Sequence, residues 1–319
     1  MSPDSPPADS AARLALDRPA AAPRAVLALC SGSGRQDRDQ TVAGHPTFRI
    51  LRDELTARGF AAASWDDPAH YARCGPDDLV ADAEAMLDRV ERALPGVPVV
   101  LVGHSQGAWI ATRLAARRPS PTGLILLAGA ARDGRTVLEA QHRRITRAEG
   151  WSAAATEATL AWKTTCFDLL ARVDASPLDP PAEADLRASL RAVLESHGVH
   201  ENDLDPIVDD LLEWEWRFIL RHDAAAALAR VPCPTLALAG SADLQIEATA
   251  ELCATRDALE RGVSPDVEVG EIPHLDHLFA RAHSAPASEY ETGGRPFDAA
   301  VLERMVNWLA RILPPHRQP

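Results

Sequence analysis

Apolar positions along the chain follow two alternating rhythms. Short, nearly unbroken apolar runs occupy residues 25–30 (AVLALC), 60–65, 99–102, 124–128 and 235–240 (TLALAG). Runs of this length, rich in Val, Leu and Ala and without polar alternation, are the pattern of parallel strands buried on both faces. Between them the spacing becomes helical: Phe48, Leu51 and Leu55 mark a helix over 46–58 that Gly59 stops, and further helices are predicted over 77–94 and 108–114. Strand and helix thus alternate with short connections up to residue 128, which makes a mostly parallel sheet with helices on both faces.

The alternation stops between residues 132 and 228. Only helical patterns occur there, over 136–149, 153–173, 182–197 and 204–221. A segment this long and this regular is not a linker, and it reads as an all-helical cap over the carboxyl edge of the sheet. The sheet resumes at 235–240 and continues through a helix at 246–261, a strand at 266–272 and a last helix at 298–312. The expected organisation is a core of residues 25–131 and 229–319, a helical cap over 132–228 and a tail over 1–24. That tail is rich in Pro, Ala and Ser and is expected to be mostly disordered, with 13–16 as a candidate edge strand.

Composition narrows the partners. With 33 basic and 46 acidic residues the formal net charge is −13, which repels nucleic acid and anionic membrane surfaces, so neither is an expected partner. No run of eighteen apolar residues occurs, and the first residues lack the basic start and apolar centre of a signal peptide, which makes the cytoplasm the expected location. The five cysteines are widely spaced without a C-x-x-C pair, as reduced core thiols would be, and no metal-ligand spacing occurs. No cofactor is expected, and the oligomeric state cannot be read from the chain.

The chemistry-bearing stretch is PVVLVGHSQGAWIAT, where the apolar run ends and a helix begins within the five residues GHSQG. The spacing G-x-S-x-G lets strand and helix meet closely because Gly103 and Gly107 have no side chains to collide. Ser105 is thereby forced onto a strained turn with its hydroxyl exposed, as a nucleophile requires. The backbone N–H of Gln106, at the helix start, is placed to receive a developing oxyanion. A second donor should come from the loop after the first core strand, SGSGRQDRDQT, where the candidate is the backbone N–H of Ser33.

A serine nucleophile needs a base, and the base needs an orienting acid, both at the carboxyl ends of later strands. Asp243 stands just past TLALAG, and the segment EIPHLDHLFA follows the next strand. Of its two histidines, His277 precedes the apolar pair Leu278 and Phe279, which can anchor the loop, whereas His274 follows Pro273 at a frayed strand end. Asp37, Arg38 and Asp39 read as charges that pair with one another to hold their loop. His104 reads as a packed, hydrogen-bonded side chain. His45, His142 and His222 read as surface or cap residues. Candidate walls of a substrate pocket are His104, Trp109, Trp162, Trp214 and Phe218, with helical spacing in the cap favouring the cap's own core for part of that set.

The motifs SGSGRQDRDQT, GHSQGA, LLAGAAR, WRFILRHDAAAALARVPCPTLALAGSADLQI and HLDHLFA, in that order, closely resemble a group of bacterial α/β-hydrolase esterases with a G-S-G-x-Q-D-R-D loop. The resemblance covers nearly everything from 25 to 313. It implies a serine esterase or acyl hydrolase with the triad Ser105, Asp243 and His277, oxyanion donors at Ser33 and Gln106, and a helical cap lining the pocket for a small-molecule ester or acyl substrate. The chain departs from that group after Asp66 and Asp67, where PAHYARCG stands in place of an Arg-Gly turn, so this part of the rim is rebuilt. The first expectation is therefore hydrolysis of a carboxylic ester or thioester through an acyl-enzyme. A second keeps the triad but passes the acyl group to another nucleophile, giving an acyltransferase or cyclase of secondary metabolism. A third, a non-catalytic receptor, has no need of Ser, His and Asp at these positions, and epoxide or haloalkane hydrolysis would need an aspartate at position 105.

Overall fold

The computed structural model describes residues 13–282 and 296–314. Its centre is a seven-stranded sheet in which one edge pair is antiparallel and every other pair parallel. In chain order the strands are β1 (Leu14–Asp17), β2 (Val26–Cys30), β5 (Ala61–Trp65), β6 (Val99–His104), β7 (Gly123–Leu127), β8 (Thr235–Gly240) and β9 (Val267–Ile272). A separate two-residue ribbon pairs β3 (Thr41–Val42) with β4 (His45–Pro46). Across the main sheet the order is β1-β5-β2-β6-β7-β8-β9. Strands β2, β5, β6, β7 and β8 are buried throughout, as their continuous apolar runs require, whereas β9 is half-buried at the far edge.

Five helices cover the two faces: α1 (Thr47–Ala57), α2 (Pro76–Ala93), α3 (Gln106–Arg117), α10 (Ala248–Glu260) and α11 (Ala299–Ile312). Their apolar stripes face inward; α1 buries Phe48, Leu51 and Leu55, and α11 buries Val301, Leu302, Met305, Trp308 and Leu309. The order matters for function. The chain leaves β2 toward β5 on one side and returns past β2 to β6 on the other, so the carboxyl ends of β2 and β6 flank the point where the winding reverses, the usual place for a ligand crevice.

Between β7 and β8 lie six helices: α4 (Gly134–Ala148), α5 (Ala153–Leu170), α6 (Pro180–Ser196), α7 (Glu201–Leu212), α8 (Trp214–Arg221) and α9 (Ala224–Leu228). Side-chain caps at Asp133, Ser152 and Asp179 start α4, α5 and α6. The insertion has an apolar cluster of its own, built on Phe167, Leu170, Leu190, Leu194, Leu204 and Val208. No helix among the described residues is long and apolar enough to cross a membrane.

Residues 1–12 lie outside the described residues, and the candidate edge strand of the tail is present as β1, Leu14–Asp17, paired with β5 in the register Leu14 to Trp65. The structure corrects two details of the pattern reading. The helix expected over 204–221 is two helices that start earlier, at Glu201, and break at Glu213. There the buried guanidinium of Arg217 donates to the Leu212 carbonyl at 2.7 Å, taking an acceptor that a continuous helix would have used. Helix α9 and the β3–β4 ribbon carried too few residues to show a period.

Candidate active site

Ser105 sits between β6 and α3 with φ 54° and ψ −121°, a conformation that strains any residue bearing a Cβ. The flanking glycines are obligatory. A Cβ on Gly103 would lie 2.2 Å from the Gly107 carbonyl oxygen, and one on Gly107 would lie 2.0 Å from that of Cys30. The Ser105 N–H donates to the Leu127 carbonyl at 2.9 Å, which ties the turn to the neighbouring strand. Gln106 is the first residue of α3, and its N–H belongs to the unpaired first turn of that helix.

Asp243 follows β8 and is fully buried. One carboxylate oxygen, Oδ1, accepts the N–H groups of Gln245 and Ile246 at 2.7 and 3.0 Å. The other, Oδ2, lies 2.8 Å from Nδ1 of buried His277. The same side chain therefore folds its turn and holds the imidazole. His277 is presented by a tight loop whose organiser is Asp276, also fully buried: its Oδ1 accepts the N–H groups of Leu278 and Ala280, both at 3.0 Å. Sequence reasoning passed over Asp276, because an aspartate between two histidines gives no signal of which backbone it will cap. His274 is exposed on a turn with φ 65°, its N–H donating to Ser241 Oγ.

The loop carrying Ser33 lies against this elbow; a Cβ on Gly32 would stand 3.5 Å from Ser105 Cβ. The charges expected to pair with one another are instead clamped from outside. Arg38 binds the Asp66 carboxylate, Asp39 binds Arg52, and Asp37 Oδ1 accepts the N–H groups of Asp39 and Thr41. Arg52 is buried and also donates to Ser64 Oγ and the Arg38 carbonyl. The Asp67 carboxylate accepts the Gln36 N–H at 2.8 Å, and burial pushes its carboxyl up to about 7 against the pull of that bond.

Ser33, His104, Ser105, Gln106 and His277 all line one cavity of about 340 Å³. Its far wall comes from the insertion, with Val137 and Leu138 of α4 and Phe218 and Ile219 of α8. Trp109 and Phe218 meet with ring centroids 4.0 Å apart, and Trp109 Nε1 donates to His222 Nδ1 at 3.0 Å. His222, at the end of α8 in the insertion, lines the cavity and is not a surface residue, and burial, with Arg113 nearby, pushes it down to about 4. His45 and His142 are buried. Two expected pocket residues lie elsewhere: Trp214 packs in the main core against Tyr71, and Trp162 packs on the insertion's own apolar cluster. Trp214 shares a face of α8 with Phe218, one turn away and with ring centroids 6.1 Å apart, so helical period could not tell which of the two reaches the cavity. The insertion also reaches the Asp243 turn, where Gln141 donates to Gln245 Oε1 and Arg144 to the Asp243 backbone carbonyl.

The cavity lining contains no carboxylate among the described residues, and its one cation, Arg132, is bound by Glu251 and Glu247. No cluster of three or more His, Cys, Asp or Glu suited to a metal occurs among the described residues.

The family described as serine aminopeptidase, S33, matches residues 48–281. A lipase solved in its open form superposes with a TM-score of 0.52, at 18% identity over 93% of this chain and 93% of that one. The proline iminopeptidase of Mycobacterium smegmatis gives 0.53, at 16% identity over 93% and 95%. At such identities the likeness is one of fold. In sequence, the Spectinabilin polyketide synthase system protein NorC of Streptomyces orinoci is 40% identical over 77 residues, which are 23% of this chain and only 3% of that protein.

Proposed function

The chain belongs to the serine aminopeptidase S33 family of α/β-hydrolases, and from that premise we propose that it is a serine hydrolase that cleaves a carboxylic ester or thioester through an acyl-enzyme on Ser105. The observation that carries this reading is the buried 2.8 Å pair of Asp243 and His277 at the rim of a cavity that also holds Ser105 on its strained turn. Because Nδ1–H of His277 donates to Asp243, Nε2 is the basic nitrogen. His277 takes the Ser105 proton as Oγ attacks the substrate carbonyl, and the backbone N–H groups of Gln106 and Ser33 receive the oxyanion. Collapse breaks the bond to the leaving oxygen or sulfur, which His277 protonates, and water then releases the acyl group by the same steps. Helices α4 to α9 act as the cap that shapes the pocket, and the cytoplasm is the proposed location, in keeping with five free thiols.

Peptide hydrolysis from a free amino terminus fits the cavity less well. An ammonium group taken out of water needs a carboxylate partner, and the described lining offers none. The finer placement, among esterases with the G-S-G-x-Q-D-R-D loop, rests on SGSGRQDRDQT and its clamps to Asp66 and Asp67. The partial likeness to a polyketide synthase system protein favours a second reading, in which the acyl group leaves Ser105 for another nucleophile or an internal hydroxyl. A fluorophosphonate should add one adduct, mapped by mass spectrometry to the peptide holding Ser105. A panel of esters and matched thioesters of increasing acyl length then gives the preference, and added alcohols or amines that divert the product identify transfer. Full activity with Ser105 unlabelled would remove the acyl-enzyme.

A further inference from the structure

Gln40 is 1% exposed and holds a left-handed backbone with φ 46°, a conformation unfavourable for a residue with a Cβ. Its side chain bridges two parts of the site. Oε1 accepts the N–H of Gly32 at 2.9 Å, and Nε2 lies 3.0 Å from Nδ1 of His104. His104, itself 3% exposed, places its Nε2 2.8 Å from the backbone carbonyl oxygen of His277. A carbonyl oxygen only accepts, so the His104 proton sits on Nε2, Nδ1 is the bare acceptor, and the Gln40 amide has one orientation that suits both neighbours. Three hydrogen bonds thereby run in a single sense, from Gly32 through Gln40 and His104 to His277.

The two ends of this chain are the parts that acyl transfer must hold in register. Gly32 precedes Ser33, His277 is the base, and the middle residue, His104, directly precedes the nucleophile. A buried amide bridge adds little net stability over an apolar group of the same shape, so stability does not account for it, whereas fixed orientation does. We propose that Gln40 is a positioning residue for the reaction proposed above, acting through His104 to hold the oxyanion loop and the His277 backbone in one arrangement about Ser105. The bridge keeps its polarity at working pH, because burial and neighbouring His277 push His104 down to about 3; Asp243, the other charged group acting on that ring, opposes this only in part.

The test uses the full chain and two independent readouts. In nitrogen-15 NMR of the histidines, His104 should show the Nε2–H tautomer without titrating from about pH 5 to about pH 9. In Gln40→Met, which keeps the length but removes both polar ends, the His104 proton should stay on Nε2, held by the His277 carbonyl, while the Nδ1 resonance shifts as it loses the Gln40 donor. The same variant should lower kcat by roughly tenfold or more with KM within about twofold, and slow fluorophosphonate labelling of Ser105 in parallel. A wild-type His104 that titrates or carries its proton on Nδ1 overturns the proposal, as does a Gln40→Met protein whose His104 Nδ1 has lost its donor yet keeps full kcat. Absence of any labelling or ester turnover in the wild type would instead remove the serine hydrolase reading. The His104 spectrum would still decide whether the bridge exists.

Discussion

On the sheet side of the cavity, each element of the site is fixed by hydrogen bonds from buried polar side chains: Asp243 and Asp276 fold the turns on which His277 depends, and Arg52 and Asp67 clamp the loop of Ser33. On the insertion side, Val137, Leu138, Phe218 and Ile219 are held by packing alone, with α4 so close to α8 that a Cβ on Gly134 would lie 1.8 Å from the Ile219 carbonyl oxygen. The difference is one of tolerance. A hydrogen-bonded turn leaves a buried donor or acceptor unsatisfied when one partner is lost, while an apolar wall can repack around a change of size. Chemistry is therefore expected to be brittle on the first side and specificity adjustable on the second.

The largest expected effects break the first side. Ser105→Ala and His277→Ala should each lower turnover by roughly 10³-fold or more with the fold retained, and Asp243→Asn should resemble them by misorienting the ring. His274→Ala, at an exposed turn, should cost about tenfold or less. Steady-state rates on one activated ester with circular dichroism as the control decide this; a dead His274→Ala beside an active His277→Ala would reverse the assignment.

A smaller effect sharpens the second side. Phe218→Ala widens the wall opposite Trp109 and should change the ratio of kcat/KM between long and short acyl esters by roughly tenfold, with little change for the shortest ester. Equal loss on all esters would make this wall part of the chemistry. Trp162, packed away from the cavity, should leave that ratio unchanged when substituted.

The smallest effect concerns the rebuilt rim. The Asp67 carboxyl, raised by burial from 3.8 to about 7, binds more protons folded than unfolded between those values, so it makes stability fall as pH rises through that window. Asp67→Asn removes the burden. Its melting temperature relative to the wild type should rise across the same window and exceed it by on the order of 5 °C at pH values above the folded pKa. Parallel melting curves for the two proteins across the window would show that the carboxylate is already well solvated or paired.

Much of this was legible in the chain because it depends on local rules. Short uninterrupted apolar runs rich in Val, Leu and Ala fit strands buried on both faces, and the glycines of GHSQG between strand and helix fit a turn too tight for side chains, so the sheet and the elbow followed from residue order. The pairing of Asp243 with His277 could be anticipated because acids and bases project from the carboxyl ends of parallel strands, where the loops are short. The helices of the insertion could be counted approximately but not faced. Trp162 packs on the insertion's own cluster and Trp214 lies one turn from Phe218, and which of these rings meets the cavity depends on how α4 to α8 cross. Gln40, Asp276 and His222 escaped for a related reason: their partners are backbone groups or rings 64, 2 to 4, and 113 residues away in sequence, and a hydrogen bond to a main-chain atom leaves no mark on residue type. Tertiary structure alone decided these, because it alone brings the ends of β2, β6 and β8 to one place and closes the insertion over them.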